Sequence, residues 1–259
     1  MRIATYLGLF ILCLFFISCN EKVDSGVDTK EVFESVDKLE NLPFDERVKR
    51  EVEGKIGIPA NEKYTLSVHK AHLNADNNED AIVLVNRLQF AIDEAAKSEN
   101  AAKMAELGYM GNYNYFIYYD GKLNKFSNPI TVASSPEAKL KVVFENIQSE
   151  VFKDVSIEYR IRNSAFRNYY LIKDGILQIM FQWKLFDYIG TATPEANFIS
   201  FEKGTMSSFK DIVVYEGKIK GYTPQISNVY SYDPVIEKST VQLHRFFFDP
   251  KTLKYYTKK

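Results

Sequence analysis

From residue 64 onward, most of the chain alternates apolar and polar positions, the period of strands with one covered face. Residues 64–72 and 81–88 read as strands. Tyr113, Tyr115, Ile117 and Tyr119 alternate with Asn112, Asn114, Phe116 and Tyr118, and Asp120-Gly121 then supplies a hairpin turn. Val155, Ile157, Tyr159 and Ile161 point one way; Ser156, Glu158, Arg160 and Arg162 point the other. Residues 166–172 pair through Asp174-Gly175 with 176–186, where Leu177, Ile179, Phe181, Trp183 and Leu185 share a face. Glu216-Gly217 reads as a further hairpin, and Asp249-Pro250 turns residues 241–248 toward a last strand near Tyr256. Two segments have helical character. Asp45 caps a short helix with Val48 and Val52 on one face and Gly54 at its end. Residues 88–107, rich in Ala, Glu, Lys and Met, read as one helix stopped at Gly108. The expectation is a mainly β fold of antiparallel sheets and hairpins with one or two helices.

The first 18 residues follow a different rule. Arg2 is the only charge before Glu21, and residues 3–18 are almost wholly apolar, as in a secretory signal peptide. A membrane-spanning helix would need about 17–25 apolar residues and a cationic flank, whereas Asn20 and Glu21 follow directly. The run ends in Phe16-Ile17-Ser18-Cys19, which resembles the lipobox of bacterial lipoproteins, although Phe16 and Ile17 stand where Leu and a small residue are usual. The resemblance implies cleavage before Cys19, lipid on its thiol and a cell-envelope location, outer membrane first, facing periplasm or cell surface. Several acyl chains give firm anchoring, since each buried CH₂ adds about 0.8 kcal/mol. The chain then divides into a signal peptide (1–18), a charged tether (19–43) and a β-rich domain (44–259).

Composition narrows the function classes. The cysteines are Cys13, inside the apolar run, and Cys19. A processed chain keeps one cysteine, which argues against a disulfide scaffold, a zinc ribbon and a dithiol redox site. A net charge of −1 carries no footprint for nucleic acid. Hydrophobic content of 46% is enough for a core that needs no cross-links.

A faint repeat runs through the domain. Asp80-Ala81-Ile82-Val83, Asp154-Val155-Ser156-Ile157 and Asp211-Ile212-Val213-Val214 each put an aspartate at the mouth of a strand. Such intervals suit one sheet unit or propeller-like blade each. The first copy is preceded by His72-Leu73-Asn74-Ala75-Asp76-Asn77-Asn78-Glu79, and the whole resembles the calcium loop of FG-GAP and VCBS-type repeats, the units of integrin-like β-propellers. That resemblance implies calcium held by Asn74, Asp76 and Asp80 with the Asn78 carbonyl, since calcium takes six to eight hard oxygens. His72 stands where the family has its first aspartate, and imidazole is a poor calcium ligand. The same residues also make an ordinary Asx-rich turn, and both readings stay open.

Other candidates are thinner. His69 and His72, three apart on a strand, face opposite ways. No Gly-rich phosphate loop, G-x-S-x-G elbow or H-E-x-x-H is present. Arg160, Arg162 and Arg167 cluster around one hairpin and read as a solvated outer face balanced by Glu158. Trp183 alternates with core residues and reads as buried rather than as a sugar platform. Two functions follow: a non-catalytic, membrane-anchored envelope module that binds or scaffolds a protein or glycan, and an envelope hydrolase acting on glycan or ester through carboxylates. A cleft holding two carboxylates, one with a raised pKa, favours the second.

Overall fold

The computed structural model describes residues 41–257; the signal-like run, Cys19 and nearly all of the tether lie outside them. A compact unit spans Phe44–Lys259. Its described residues form thirteen strands, all paired antiparallel, and three helices, α1 (Phe44–Ile56), α2 (Leu88–Ala96) and α3 (Ala101–Glu106). The fold is therefore mainly β, in two antiparallel sheets with no closed barrel.

The strands fall into three consecutive units. Unit one holds β1 (Thr65–Ala71), β2 (Asp80–Asn86) and β3 (Gly111–Asp120), with β4 (Lys125–Phe126) and β5 (Ile130–Ser134) sharing the far edge of β3. Unit two is the meander β6 (Lys141–Glu145), β7 (Asp154–Ile161), β8 (Ser164–Lys173) and β9 (Ile176–Asp187). Unit three is the meander β10 (Glu195–Glu202), β11 (Asp211–Ile219), β12 (Ile236–Asp249) and β13 (Lys254–Tyr256). Units two and three join through Asp187↔Glu195 and Phe186↔Ala196. Three strand steps in a flat sheet span about 14 Å, yet Phe181 on β9 and Phe246 on β12 have ring centroids 4.8 Å apart. The eight-stranded sheet thus folds over at this junction, and its halves pack face to face.

Each interface has its own apolar core. Ile82, Leu84, Phe116 and Tyr118 of unit one meet Val155, Ile157, Tyr159 and Tyr170 of unit two. Tyr169, Leu171, Met180 and Phe181 of unit two meet Ile212, Val214, Phe246 and Phe248 of unit three. Val48 and Val52 of α1 cover Val83, Val85 and Ile117 on the outer side of unit one. All seven residues of β2 are buried because both its faces are covered, which explains an unbroken apolar run where a half-exposed strand alternates.

Five sequence expectations need correction. Asp45 lies in the first turn of α1 rather than capping it, and the helix continues through Gly54 to Ile56. The helix over 88–107 is two helices, broken at Lys97–Asn100. There the Asn100 N–H donates to the Ser98 hydroxyl at 3.1 Å, a local bond that competes with the helical ladder. Glu216-Gly217 is not a hairpin: β11 runs through it at a bulge opposite β12. Gly217 is needed for approach, since a Cβ there would stand 2.6 Å from Ile236 and 3.0 Å from the Ala196 backbone. On β9, Tyr169 pairs Phe181 but Tyr170 pairs Ile179, so Met180 is the extra residue of a bulge. That slip buries Met180 and leaves Ile179 exposed, breaking the single face expected of 177–185. Finally, Arg160 is only 8% exposed and Arg167 is mostly buried against Glu158, so of the three arginines expected on a solvated face only Arg162 is exposed.

Candidate functional site

The eight-residue loop between β1 and β2, with Asp80 at the head of β2, holds all four expected calcium-loop residues. The Asp80 carboxylate is fully buried and turns inward. One oxygen accepts the Leu73 N–H at 3.1 Å; the other accepts the Gly121 N–H at 3.0 Å and the Tyr118 hydroxyl at 3.3 Å. Burial raises the Asp80 pKa, and the Gly121 and Leu73 N–H groups oppose that rise. The Asn74 side-chain amide oxygen accepts the Asp76 N–H, and the Asp76 carboxylate accepts the Asn78 N–H at 2.9 Å. These are successive Asx turns, with Asn77 left-handed at φ 64°. The Asn78 carbonyl lies 2.9 Å from His72 Nδ1. A carbonyl only accepts, so Nδ1 carries the proton. Histidine at the family's first aspartate position thus closes the loop through the carbonyl that the resemblance assigns to calcium.

The repeat is structural. Asp154 heads β7 and accepts the N–H groups of Ile147 and Gln148 at 2.8 and 2.9 Å; Asp211 heads β11 and accepts the Thr205 N–H and hydroxyl. In each unit the aspartate at the start of the second strand clasps a backbone six or seven residues upstream. The clasp seats an apolar residue between units: Leu73 in the first interface, Ile147 in the second. At the matching place in unit three stands Gly204. The loops also bond to one another, since the Lys153 N–H donates to the His72 carbonyl and the Lys210 N–H to the Ile147 carbonyl, at 2.8 and 2.9 Å. No motif could reveal this second ladder, because backbone groups make it.

Sequence reasoning also missed a carboxylate cluster beside the second interface. Arg167 donates through Nε to Glu158 at 2.9 Å and through Nη1 to Glu145 at 3.3 Å. Burial pushes the Glu145 carboxyl up to about 7, against the pull of Arg167 and with the help of Glu158. Glu158 and Arg167 line a shallow cavity of about 390 Å³. Both carboxylates converge on one guanidinium, whereas hydrolytic pairs flank the bond they break.

A larger cavity, about 570 Å³, lies between the β3–β4 turn and the β8–β9 turn. Phe126, Pro129, Ile130, Ile176 and Leu177 line it, and Lys55, Lys125, Asp120 and Asp174 bring charge of both signs. Leu123 and Ile176 are 65% and 60% exposed at its mouth. Among the described residues, no group of three or more His, Cys, Asp or Glu is placed to hold a metal, and no helix is long and apolar enough to cross a membrane. No protein-family model, curated protein or solved structure matches the chain.

Proposed function

We propose that this chain is a lipid-anchored envelope module that binds a partner protein and does no chemistry on it. Cys19 supplies the anchor on the strength of the lipobox-like run, and the calcium-type loop serves the fold. The groove of about 570 Å³ carries the binding reading, being of the size and mixed lining that ligand sites favour. Its occupant is an extended segment of another envelope protein with aliphatic side chains flanked by charges. The exposed apolar residues at its mouth, Leu123 and Ile176, are aliphatic, whereas glycans are gripped on exposed aromatic planes. Lys55, Lys125, Asp120 and Asp174 suit a partner carrying both charge signs.

The test is photo-crosslinking in intact cells from a probe at position 123 of the full chain, with and without Ile176→Asp. A discrete adduct that Ile176→Asp abolishes supports the groove; an unchanged adduct, or none, removes it. Fatty-acid labelling that disappears in Cys19→Ala supports the anchor separately, and equal labelling of that variant refutes it.

The hydrolase reading has one observation in its favour, the raised Glu145 carboxyl beside Glu158. Cleavage of envelope glycan or ester by the purified chain, abolished by both Glu145→Gln and Glu158→Gln, would replace the binding reading.

A further inference from the structure

Arg160 is a buried charge that forms no ion pair among the described residues. It projects from β7, is 8% exposed, and has no carboxylate within 4.0 Å among the described residues. Nη2 donates to the carbonyls of Val229, at 3.1 Å, and Tyr232, so the guanidinium latches the loop between β11 and β12. The Phe186 ring lies 4.4 Å from Cζ. Nη1 is buried and has no partner among the described residues. The nearest acids are already committed, Glu158 to Arg167 and Asp233 to Lys141. A buried guanidinium cannot lose its proton, and leaving it unpaired costs several kcal/mol. Two carbonyls and a ring face offset part of that cost and supply no negative charge.

The surroundings say where the missing charge would come from. Arg160 lines a cavity of about 180 Å³ with Lys139 and Lys141 and with the acids Glu137, Glu158 and Asp233. Lys139 is exposed and forms no ion pair among the described residues. Glu137 is the one acid there with no ion pair among those residues, and burial raises its pKa. The cavity therefore offers two uncommitted cations, Arg160 and Lys139, against one uncommitted carboxylate, Glu137, in a volume that holds a phosphate or a single acidic sugar.

We propose that this cavity binds an oxyanion, a carboxylate or phosphate group, paired to Arg160 and steered by Lys139. The site is separate from the groove between the β3–β4 and β8–β9 turns and does not depend on the function assigned to it. Its ligand also pins the β11–β12 loop, because the residue that neutralises the anion is the one that latches Val229 and Tyr232.

The test is thermal melting of the full chain in detergent, titrated with sodium phosphate or sodium glucuronate against sodium chloride at matched ionic strength. The expected result is a saturable rise of about 3 °C at ten times the half-saturating concentration. A response to both probes assigns oxyanions in general; a response to one assigns phosphoryl or carboxylate chemistry. Lys139→Ala, at an exposed position, should raise the half-saturating concentration roughly threefold. Arg160→Met, which keeps bulk and removes charge, should abolish the response. If that variant does not fold, Lys139→Ala decides. Identical melting in all three salts overturns the proposal, as does an unaltered response in Lys139→Ala.

Discussion

At the residue scale, the three strand-heading aspartates do the same work in three places. The Asp80 and Asp154 carboxylates replace water for loop N–H groups that would otherwise be buried without acceptors, and Asp211 does the same for the more exposed Thr205. Asp154→Ala should therefore lower stability by about 2–4 kcal/mol in urea unfolding, as the loss of a charged, multiply bonded acceptor does. Asp76→Ala, whose bonds lie at the exposed loop tip, should cost less than about 1 kcal/mol. His72 gives a second expectation. His72→Asp exchanges the donor on the Asn78 carbonyl for an oxygen ligand, so calcium should raise the melting temperature of that variant more than that of its parent. Equal responses would reduce the loop to a turn. Glu145 gives a third, in pH. Unfolded, its carboxyl ionises near 4.5; folded, burial holds it protonated up to about 7. The stability of the neutral form is fully present below 4.5 and is lost as pH rises through 7, a fall of about 1–3 kcal/mol with Arg167 nearby. Glu145→Gln should flatten unfolding free energy between pH 5 and 8, and an unaltered slope would place the titration elsewhere.

At the element scale, the chain shows which signals a sequence carries. Strand β7 was legible because Val155, Ile157, Tyr159 and Ile161 all face one core and the period of two survives; β3 and β8 place apolar residues in a core on both faces and were legible from residue type and turn signals. The aspartate at each loop was legible too, as a recurrence of residue type before a β-rich run. What escaped notice depends on neighbours distant in sequence. Arg160 reads as polar and therefore solvated; its covering comes from the β11–β12 loop, through the carbonyls of Val229 and Tyr232. The groove arises where two turns more than 50 residues apart meet, so neither turn announces it. Gly217 reads as a turn because glycine usually is one between polar residues; here a neighbouring strand and side chain fill the space of a Cβ. Gly217→Ala should therefore cost about 1–3 kcal/mol by overpacking, with thermal unfolding as the measure. At Gly54, where a Cβ meets nothing within 4 Å, the same change should be neutral or slightly stabilising.

At the scale of the whole molecule, the three units form a short stack in which unit two is gripped on both faces and units one and three are each gripped by one neighbouring unit. Linear arrays of this kind derive their stability from the units and from the interfaces between nearest neighbours. Unit two contributes to both interfaces, so opening it exposes two cores, whereas fraying β13 or β1 exposes part of one. Hydrogen exchange of the native protein should therefore rank the amides: slowest in β7 and β8, faster in β2 and β3, and fastest at the edge strands β1 and β13. Two substitutions separate the interfaces. Phe116→Ala removes a fully buried ring that meets Tyr170 at 5.1 Å, and should accelerate exchange mainly in unit one. Phe181→Ala removes a ring within 6 Å of Phe246 and Tyr255, and should accelerate exchange mainly in unit three. Each loses about 3–5 kcal/mol of core packing. If either substitution speeds all three units equally, the stack unfolds as one block and the interfaces do not act separately. If the effects stay local, the backbone bonds from Lys153 to His72 and from Lys210 to Ile147 mark the seams along which the units part.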